Sequence, residues 1–583
     1  MQKVNVVIDE TLKINNLFSR IYIHPFFKDI KKGSVLNYHW NDYVKFKKDY
    51  LYIKQLKSDL IISASKFLNK FHDKNYSRRF WEIEIGTWIH SYCSMMFDRW
   101  EILSKLNKVN HNFLISLKKF EEKDMILQTI DEFSNIQYTT DYSSYLFSII
   151  INHRFLLDNK YSVEYHQDYP HQIYNIRKKF NPISKSPKKK ILDFYNFLLS
   201  KKLKKQKYAF IRTYLDPKDE FKLNLNFFQL PIFMPNNYFI CQPDLVLRNQ
   251  ISLGETKKNQ FENFLYANFF KFIPISYLEG FKIIEKKIQD MSIPQSPKKI
   301  FSSNILYKSL LSRYCAEKTE QGAELILATH GGCYGHYDIH FAESQELSIA
   351  DLYLTWGWNK KNDHKVKSFG IIRSLNRLRN KVKDENKKIL LMLIPALPVF
   401  QSNMESHIPF IHNNQFIFNP CFKIIDNLSE KIKFNNLTVR FHERNLGLNE
   451  FETFHKKYPN IKKVNQKYNF RKILSKTRIL LSPYLGTGYL ETLAMNIPTI
   501  VFNSKNNSNL IREDATKFYE VLKDAKVFFD DEVSLAEHIN SIWNNTSVWW
   551  NSSKVQEAIN FFCKEYACIN KTKIQDLKKI FLN

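Results

Sequence analysis

Glycine is scarce in this chain, with only 13 glycines among 583 residues. Three of them, Gly331, Gly332 and Gly335, fall within five positions, so that segment needs small residues or unusual backbone angles. The spacing G-x-G-x-x-G is absent. The sequence therefore does not indicate a dinucleotide site of the usual kind.

Cysteine pairs and long apolar runs are also missing. The seven cysteines lie far apart and form no C-x-x-C pair, which argues against a disulfide framework and against a zinc knuckle. No apolar run approaches the roughly 20 residues of a membrane-spanning helix. The opening MQKVNVVIDE lacks a basic and then apolar signal pattern. We expect a cytoplasmic protein that touches a membrane at most from outside, peripherally at its inner face.

Acidic residues are fewer than basic ones: the chain has 58 Asp and Glu but 87 Lys and Arg, which gives a formal net charge of +29. Such an excess suits nucleic acid or an anionic membrane surface. However, the lysines are scattered, with short clusters only at 188–190 and 201–205, and no nucleic-acid-binding motif is visible. A compositional bias with a modest preference for membranes or polyanions explains the charge better than specific nucleic-acid binding.

The length and pattern predict an α/β protein of two large domains. Strand-like and helical segments alternate most clearly in the C-terminal half, as in a parallel, doubly wound sheet. We expect an N-terminal Rossmann-like domain over 1–365 on the acceptor side, interrupted by a helical insert over about 42–205. A C-terminal Rossmann-like, donor-binding domain follows over 366–545, and closing helices follow over 546–583.

The motif most suggestive of chemistry is ILLSPYLGTGYLETLAMNIPTIVF, residues 479–502. It predicts a strand, a tight turn with Gly486 and Gly488, and a helix whose free N–H groups and positive end favour a phosphate. Thr487 adds a hydroxyl, and Glu491 can accept hydrogen bonds from sugar or ribose hydroxyls. In the alternative interpretation, Ser482 or Thr487 only caps the helix and Glu491 only balances its dipole.

A second glycine-rich segment, ATHGGCYGH, follows the strand-like run 325–329. His330 lies at the strand end, where ligand sites of α/β proteins gather, and it can act on a phosphate or a hydroxyl. Gly331 and Gly332 let a ligand approach the backbone. The alternatives are a turn with a structural histidine, and a metal site that uses the nearby residues His336, Asp338, His340 and Glu343. Their spacing is not typical of metal ligands, so we predict no metal.

Two further segments carry candidate residues. In VRFHERNLG, Arg440 and His442 lie at a strand end and suit an anionic donor, although a solvated loop explains them equally well. In the helical run from Arg78 to Arg99, Glu82 lies among aromatic residues, where it is either a carboxylate on the acceptor side or part of the core. We name His330, Glu82 and His442 as catalytic candidates.

With these segments in order, the chain resembles transferases of bacterial gene clusters for surface carbohydrates such as O-antigen and capsule. The resemblance covers nearly the whole chain. It rests on the segments YHWNDYVKFKKDYLYI, YSRRFWEIEIGTWIHSYCSMMFDRW, RYCAEKTEQGAELILATHGGCYG, FAESQELSIADLYLTWGW, LGTGYLETLAMNIPTIVF and the tail from SLAEHINSIW. It implies a GT-B-like glycosyltransferase, two domains facing one cleft, with a role in surface-polysaccharide assembly.

The glycine-turn helix is also similar to the nucleotide-binding segment of capsule transferases that use CMP-linked acidic sugars. We therefore expect a nucleotide sugar as donor substrate, no tightly bound cofactor, a glycan or lipid-linked acceptor, and metal-independent chemistry. Two alternatives stay open. The chain can instead transfer another phosphate-linked group such as glycerol phosphate, or it can be a non-catalytic protein that binds polyanions or serves as a scaffold.

Overall fold

A computed structural model shows three parallel β-sheets with helices between their strands. The structure describes residues 3–9, 12, 18–23, 33–106, 111–154, 160–167, 172–180, 187–234, 240–254, 257, 259–332, 334–360, 362–375, 387–396, 398–400, 403–404, 418–444, 446, 448, 450–464, 469–505 and 510–583. The central strands of each sheet are short and largely apolar, as expected where helices cover both faces of a parallel sheet, whereas several edge strands are polar and exposed.

The first sheet has the strand order β3-β2-β1-β4-β5. Its strands are β1 (Lys3–Val7), β2 (Ser19–Tyr22), β3 (Gly33–Val35), β4 (Asn112–Lys118) and β5 (Tyr161–His166). Its helices are α1 (Tyr43–His72), α2 (Arg78–Leu106), α3 (Glu122–Met125), α4 (Ile130–Ile136), α5 (Thr140–Arg154), α6 (Gln172–Phe180) and α7 (Pro187–Lys204). Helix α2 is buried around most of its circumference and packs against α1, so it forms part of the core.

The second sheet has its strands in chain order, β10-β9-β8-β7-β6. They are β6 (Tyr208–Phe210), β7 (Lys299–Ser302), β8 (Glu324–Ala328), β9 (Leu352–Thr355) and β10 (Val366–Ser368). The helices are α8 (Pro217–Asn226), α9 (Leu245–Gln250), α10 (Gln260–Ala267), α11 (Phe269–Phe272), α12 (Phe281–Asp290), α13 (Ser309–Glu320) and α14 (Phe341–Ile349).

The third sheet has the order β13-β12-β11-β14-β15-β16, the doubly wound order of nucleotide-binding folds. Its strands are β11 (Ile389–Ile394), β12 (Leu437–Phe441), β13 (Lys462–Lys463), β14 (Thr477–Ser482), β15 (Thr499–Phe502) and β16 (Phe528–Phe529). The helices are α15 (Phe418–Asn427), α16 (Glu450–Lys457), α17 (Phe470–Leu474), α18 (Thr487–Ala494), α19 (Glu513–Asp524) and α20 (Glu532–Ile542). The strand order reverses between β11 and β14, and ligands of such sheets bind at the carboxyl ends of the strands at this point.

Three helices close the chain, namely α21 (Thr546–Trp550), α22 (Ser553–Tyr566) and α23 (Lys573–Leu582). Helix α22 packs on α18 and α19 of the third sheet, whereas α23 packs on α8 beside the second sheet. Phe581 of α23 joins the apolar cluster that includes Phe210, Phe301 and Ile326. The end of the chain therefore ties the third sheet to the second.

The predicted α/β class, with Rossmann-like parallel sheets and C-terminal helices, is confirmed, although the structure has three sheets where two Rossmann-like domains were expected. Two details differ from the expectation. The segment 42–205, predicted as a helical insert, also contains β4 and β5, which join β1 in a sheet of their own. Strand β10, expected in the C-terminal domain, pairs with β9 in the second sheet. The pairing partner β1 is about 100 residues away from β4, so the local pattern did not reveal it. The domain boundaries stay predictions.

Within the part of the chain that the structure describes, no helix is both long and apolar enough to cross a membrane.

Candidate active site between two glycine loops

The glycine loops after β8 and β14 meet at the carboxyl ends of these strands. The Gly332 N–H donates to the Thr487 hydroxyl over 2.8 Å. A Cβ on Gly332 would lie 2.7 Å from the Thr487 nitrogen and would overlap the Gly486 carbonyl group. Glycine is therefore needed at 332 for the two loops to approach this closely. The contact places the second and third sheets on either side of one cleft.

The start of α18 lies at the point where the strand order of the third sheet reverses. Gly486 precedes the helix, and no side chain caps it. The Ser482 hydroxyl donates to the Tyr484 carbonyl over 2.7 Å, so its hydrogen atom stabilises the turn and is not directed at a ligand. A Cβ on Gly488 would lie 2.6 Å from Leu393 Cδ1 of β11, so the helix start packs directly on the central strand. An uncapped helix start of this kind favours an anion.

Glu491 lies on the first turns of α18 and is paired with Arg373, which follows β10. Arg373 Nη1 lies 3.1 Å from Glu491 Oε1, and the Glu491 side chain is 8% exposed against 37% for Arg373. Burial raises the pKa of Glu491, and the Arg373 guanidinium opposes that shift. Arg373 also lies over the Tyr214 ring, 5.5 Å from its centroid. The pair joins the second and third sheets across the cleft.

His330 faces a buried carboxyl group on α14. Its Nδ1 lies 3.9 Å from Glu346 Oε1, and both atoms are buried without a hydrogen-bond partner among the described residues. Burial lowers the pKa of His330 to about 4. Burial raises the pKa of Glu346 to about 8, although the Tyr353 hydroxyl donates to its Oε2 over 2.9 Å. At neutral pH the imidazole is therefore neutral and the carboxyl group is mostly protonated.

A group of cations lies beside these residues. Burial lowers the pKa of Lys308, and the positive charges of Arg212 and Arg444 lower it further, while Asp131, 3.9 Å away, opposes them. Arg212 has a φ of 51°, unusual for a residue with a side chain, and such strain is common at functional sites.

Arg440 and His442 differ in their surroundings, although both lie at the carboxyl end of β12. The Arg440 guanidinium lies 4.8 Å from the centroid of Phe470, and its Nη1 is buried without a hydrogen-bond partner in the described structure. Burial also lowers the pKa of Arg440. His442 Nδ1 instead accepts a hydrogen bond from the Arg444 N–H over 3.1 Å, so this ring nitrogen stabilises the backbone turn after β12. Arg440 is the better candidate for a ligand contact.

Glu82 lies apart from the glycine loops, on α2. It pairs with Lys57, and the Gln345 side chain donates to its carbonyl over 3.1 Å. These residues line a separate cavity of about 770 Å³ between α1, α2 and α14, which His90 and Phe341 also line. The structure therefore does not bring Glu82 together with His330 or with α18, because α14 stands between them.

The rest of the second glycine segment contacts the part of the chain around the third sheet. His336 is buried, and its Nδ1 lies 2.7 Å from the Tyr519 hydroxyl. Glu343 pairs with Arg512 at 2.5 Å and accepts from the Gly335 N–H. Among the described residues, no group of three or more His, Cys, Asp or Glu side chains is placed to hold a metal ion. Cys333 lies outside the described residues.

Sequence reasoning missed several residues of this cleft, namely Arg212, Tyr214, Lys308, Glu346 and Arg373. Each follows a strand of the second sheet or lies on a helix beside it. For Arg212, Tyr214, Lys308 and Arg373, the only signal was a position in or near a strand-like run, and this did not distinguish them from other residues there. Glu346 lies 16 residues after His330 in an ordinary helical segment, so the pairing depends on the fold.

Comparison with solved structures finds distant similarity. The pneumococcal O-GlcNAc transferase GtfA in complex with UDP and GlcNAc is 11% identical, with a TM-score of 0.32, over 52% of this chain and 58% of that chain. TarM is 10% identical, with a TM-score of 0.30, over 49% and 55%. The wall teichoic acid polymerase TagF with CDPG is 10% identical, with a TM-score of 0.31, over 71% and 98%.

The chain thus spans a little more than half the length of GtfA and TarM. At these scores, the similarity says nothing about donor or acceptor. A search of curated protein sequences finds no match. The model of the LIC12162 family transferases, in contrast, matches residues 18–581, which is nearly the whole chain, and the protein therefore belongs to this transferase family.

Proposed function

We propose that this transferase moves a sugar from a nucleotide-activated donor to a surface-polysaccharide or lipid-linked acceptor in the cytoplasm. The observation that carries the proposal is the contact between Gly332 and Thr487. It joins an uncapped helix start, a carboxylate–arginine pair and a neutral histidine in one cleft. These groups can stabilise a leaving phosphate and accept a proton, as transfer from a phosphate-linked donor needs.

The donor phosphate is expected at the start of α18. Its N–H groups and the positive end of the helix offset the charge that develops on the leaving phosphate. Arg440 adds a guanidinium whose buried Nη1 has no hydrogen-bond partner in the described structure. With these groups in place, we propose that no metal ion is needed for the leaving group.

Glu491 is the proposed contact for hydroxyl groups of the nucleoside or sugar. Its carboxylate is held by Arg373 at 3.1 Å, which leaves its remaining acceptor positions for a ligand. A CMP-linked acidic sugar is the proposed donor, because the glycine-turn helix is similar to the nucleotide-binding segment of transferases that use such donors. The carboxylate of such a sugar needs a cationic partner, and Arg440 is the candidate, since its buried Nη1 has no hydrogen-bond partner among the described residues.

His330 is the proposed general base. Its Nδ1 is directed towards Glu346, and the ring is also hydrogen-bonded to the Ser303 backbone, so an acceptor hydroxyl would have to replace one of these two contacts. Its neutral form can accept the proton as the hydroxyl attacks the donor sugar. Glu346 would act through His330, as a positioning residue that fixes the orientation of the ring.

The test is calorimetric binding of CMP, CDP, UDP and GDP to the wild type, to Glu491→Gln and to Glu132→Gln. Glu132 is a matched control because its side chain is 7% exposed and pairs with the 25% exposed Arg177 on α6, and neither residue is part of α18 or the glycine loops. We expect one nucleotide to bind the wild type and the control alike, and to bind Glu491→Gln about tenfold more weakly. A hydrogen bond to the carboxylate, about 1.5–3 kcal/mol, is replaced there by one to a neutral amide, about 0.5–1.5 kcal/mol.

Product analysis with the nucleotide-activated donor that binds then identifies the group that is transferred. A new glycosidic bond formed in the presence of a chelator supports the proposal, including its metal independence. A phosphodiester product would point instead to transfer of a group such as glycerol phosphate. Absence of nucleotide binding by folded protein, with binding of polyanions that Glu491→Gln leaves unchanged, would favour the non-catalytic alternative.

A further inference from the structure

Helix α7 exposes large apolar side chains to solvent. Four of them are far more exposed than apolar residues of a packed helix: Ile191 (69%), Phe194 (62%), Phe197 (78%) and Leu198 (60%). At 3.6 residues per turn, they fall within an arc of about 120° on one face of the helix. An exposed stripe of this size marks a binding surface.

The opposite face of α7 fixes the orientation of this stripe. Leu203 is fully buried, and Tyr195 and Leu199 pack against the hydrophobic core. The Tyr195 hydroxyl also donates to the Pro231 carbonyl over 3.0 Å. The helix cannot turn its apolar stripe inwards without losing these contacts.

Lysines lie on the same face as the apolar stripe. Helix α7 contains six lysines and one aspartate in 18 residues. Lys190, Lys201 and Lys202 are exposed, and the helical period places them within or beside the arc of the apolar residues. The surface is therefore apolar and cationic at once.

Helix α8 and the residues just after it extend this surface. Phe228 is fully exposed at 100%, and Phe221 and Leu225 are each 53% exposed. The Leu230 N–H donates to the Gln206 side chain over 2.6 Å, and the Gln229 side chain bonds the Tyr208 backbone in both directions. These bonds fix the Phe228 turn beside the end of α7.

We infer that α7, together with the Phe228 turn, binds the surface of an anionic lipid bilayer. Phenylalanine, leucine and isoleucine can enter the boundary between headgroups and acyl chains, while lysines reach the lipid phosphates. A protein partner fits this surface less well, because the centres of protein interfaces are depleted of lysine.

Bilayer binding would also place the transfer cleft beside the membrane. Lys222 and Leu225 of α8 line a cavity of about 600 Å³ whose wall includes Arg373, the partner of Glu491. The inference itself does not depend on the proposed function, because lipid binding is measured without donor or acceptor.

The experiment is flotation of the full chain with vesicles of phosphatidylcholine alone or mixed with phosphatidylglycerol. We expect binding to the mixed vesicles only, weakened at high salt because screening shortens the reach of the lysine charges. Phe194→Ser with Phe197→Ser should lower vesicle binding at least about tenfold. Lys190→Gln, Lys201→Gln and Lys202→Gln together should lower it roughly tenfold or more.

Matched controls lie on other surfaces of the protein. Val44→Ser with Phe434→Ser removes two apolar residues of similar exposure, 78% and 59%, and Lys54→Gln, Lys66→Gln and Lys70→Gln removes three exposed lysines of α1. We expect both controls to bind like the wild type, and nucleotide binding to be unchanged in all variants.

Three results would overturn the inference. The first is equal loss of vesicle binding in the controls, and the second is absence of binding by the wild type. The third is a dimer in gel filtration that Phe194→Ser with Phe197→Ser dissociates, because it would assign the stripe to a second copy of the chain. Failure of nucleotide binding would contradict the proposed function but leave this inference intact.

Discussion

Burial sets the charge of the ionisable groups in the cleft. The pKa of His330 is lowered to about 4 and that of Glu346 is raised to about 8, so both groups are mainly neutral at pH 7. Glu491 lies next to a cation, and the opposing influence of Arg373 moderates the rise in its pKa. The cleft thus contains a neutral imidazole and a carboxyl group, Glu491, whose ionisation is favoured by Arg373.

Replacement of Glu346 by glutamine should flatten the dependence of stability on pH. An acid whose pKa is raised to about 8 in the folded state stabilises the fold below its unfolded pKa of about 4.3 and loses this contribution as pH rises to 8. In Glu346→Gln, the free energy of unfolding should therefore fall less between pH 6.5 and 8, by up to roughly 1.4 kcal/mol per pH unit. Urea unfolding at a series of pH values measures this, and identical slopes in both proteins would contradict the prediction.

Replacement of Arg373 by methionine should shift nucleotide binding to higher pH. Without the guanidinium, burial raises the pKa of Glu491 further, and the ionised carboxylate that accepts hydroxyl groups forms only at higher pH. Calorimetry from pH 5 to about 8.5 should show a binding curve displaced towards alkaline pH. In a protein that already carries Glu491→Gln, adding Arg373→Met should not displace the binding curve. An equal pH dependence in the wild type and in Arg373→Met would show that ionisation of Glu491 does not control binding.

At the scale of elements, two strand–turn–helix units depend on each other. The loop after β8 meets the start of α18 through one hydrogen bond and through backbone contacts that admit only glycine at 332. The same loop is tied to the segment before α19 by the Arg512 N–H, which donates to the His336 carbonyl over 2.9 Å. Each loop is therefore shaped by the other domain.

Substitution of Thr487 by valine should weaken the contact between these loops. Valine has nearly the same shape but leaves the Gly332 N–H without its acceptor, which costs about 1–3 kcal/mol of stability if water does not replace the bond. Thermal unfolding should show a lower midpoint, with weaker nucleotide binding. Thr487→Ser keeps the hydroxyl and should resemble the wild type; if the serine variant loses as much as the valine variant, the hydrogen bond is not the cause.

At the scale of the whole molecule, the last helix completes the core of a sheet that began more than 350 residues earlier. The Phe581 ring lies 5.2 Å from Tyr208, 5.0 Å from Phe210 and 6.3 Å from Phe301, measured between centroids. Helix α23 thereby covers a face of the second sheet, while α22 covers helices of the third. The terminal helices hold the two sides of the cleft together.

Phe581→Ala should therefore destabilise the protein by about 3–5 kcal/mol, the usual cost of removing a buried phenylalanine. The neighbouring Leu582 is 62% exposed, so Leu582→Ala should change stability by no more than about 0.5 kcal/mol. Denaturant unfolding compares the two variants directly. A small effect for Phe581→Ala would show that α23 is not part of the cooperative core.

The sequence by itself determined the α/β class, most strands of the second and third sheets, and the two glycine loops. These features depend on local pattern, since apolar runs make parallel strands and a glycine turn before a helix is recognisable within about 20 residues. His330, Gly332, Thr487 and Glu491 were selected as candidates in this way. The resemblance to transferases rested on similar segments, and membership of a transferase family is confirmed.

The tertiary structure alone decided which of these residues meet. Glu82 lies apart from the cleft, in an ion pair with Lys57. The Ser482 hydroxyl and the His442 Nδ1 form hydrogen bonds with the backbone. Arg373 and Glu346, which the sequence did not indicate, pair with Glu491 and face His330, respectively. The tertiary structure also built the first sheet from β1, β4 and β5, whose partners are far apart in the chain. Local periodicity shows which side of a strand or helix is buried but not what lies across from it, because that depends on how distant segments pack.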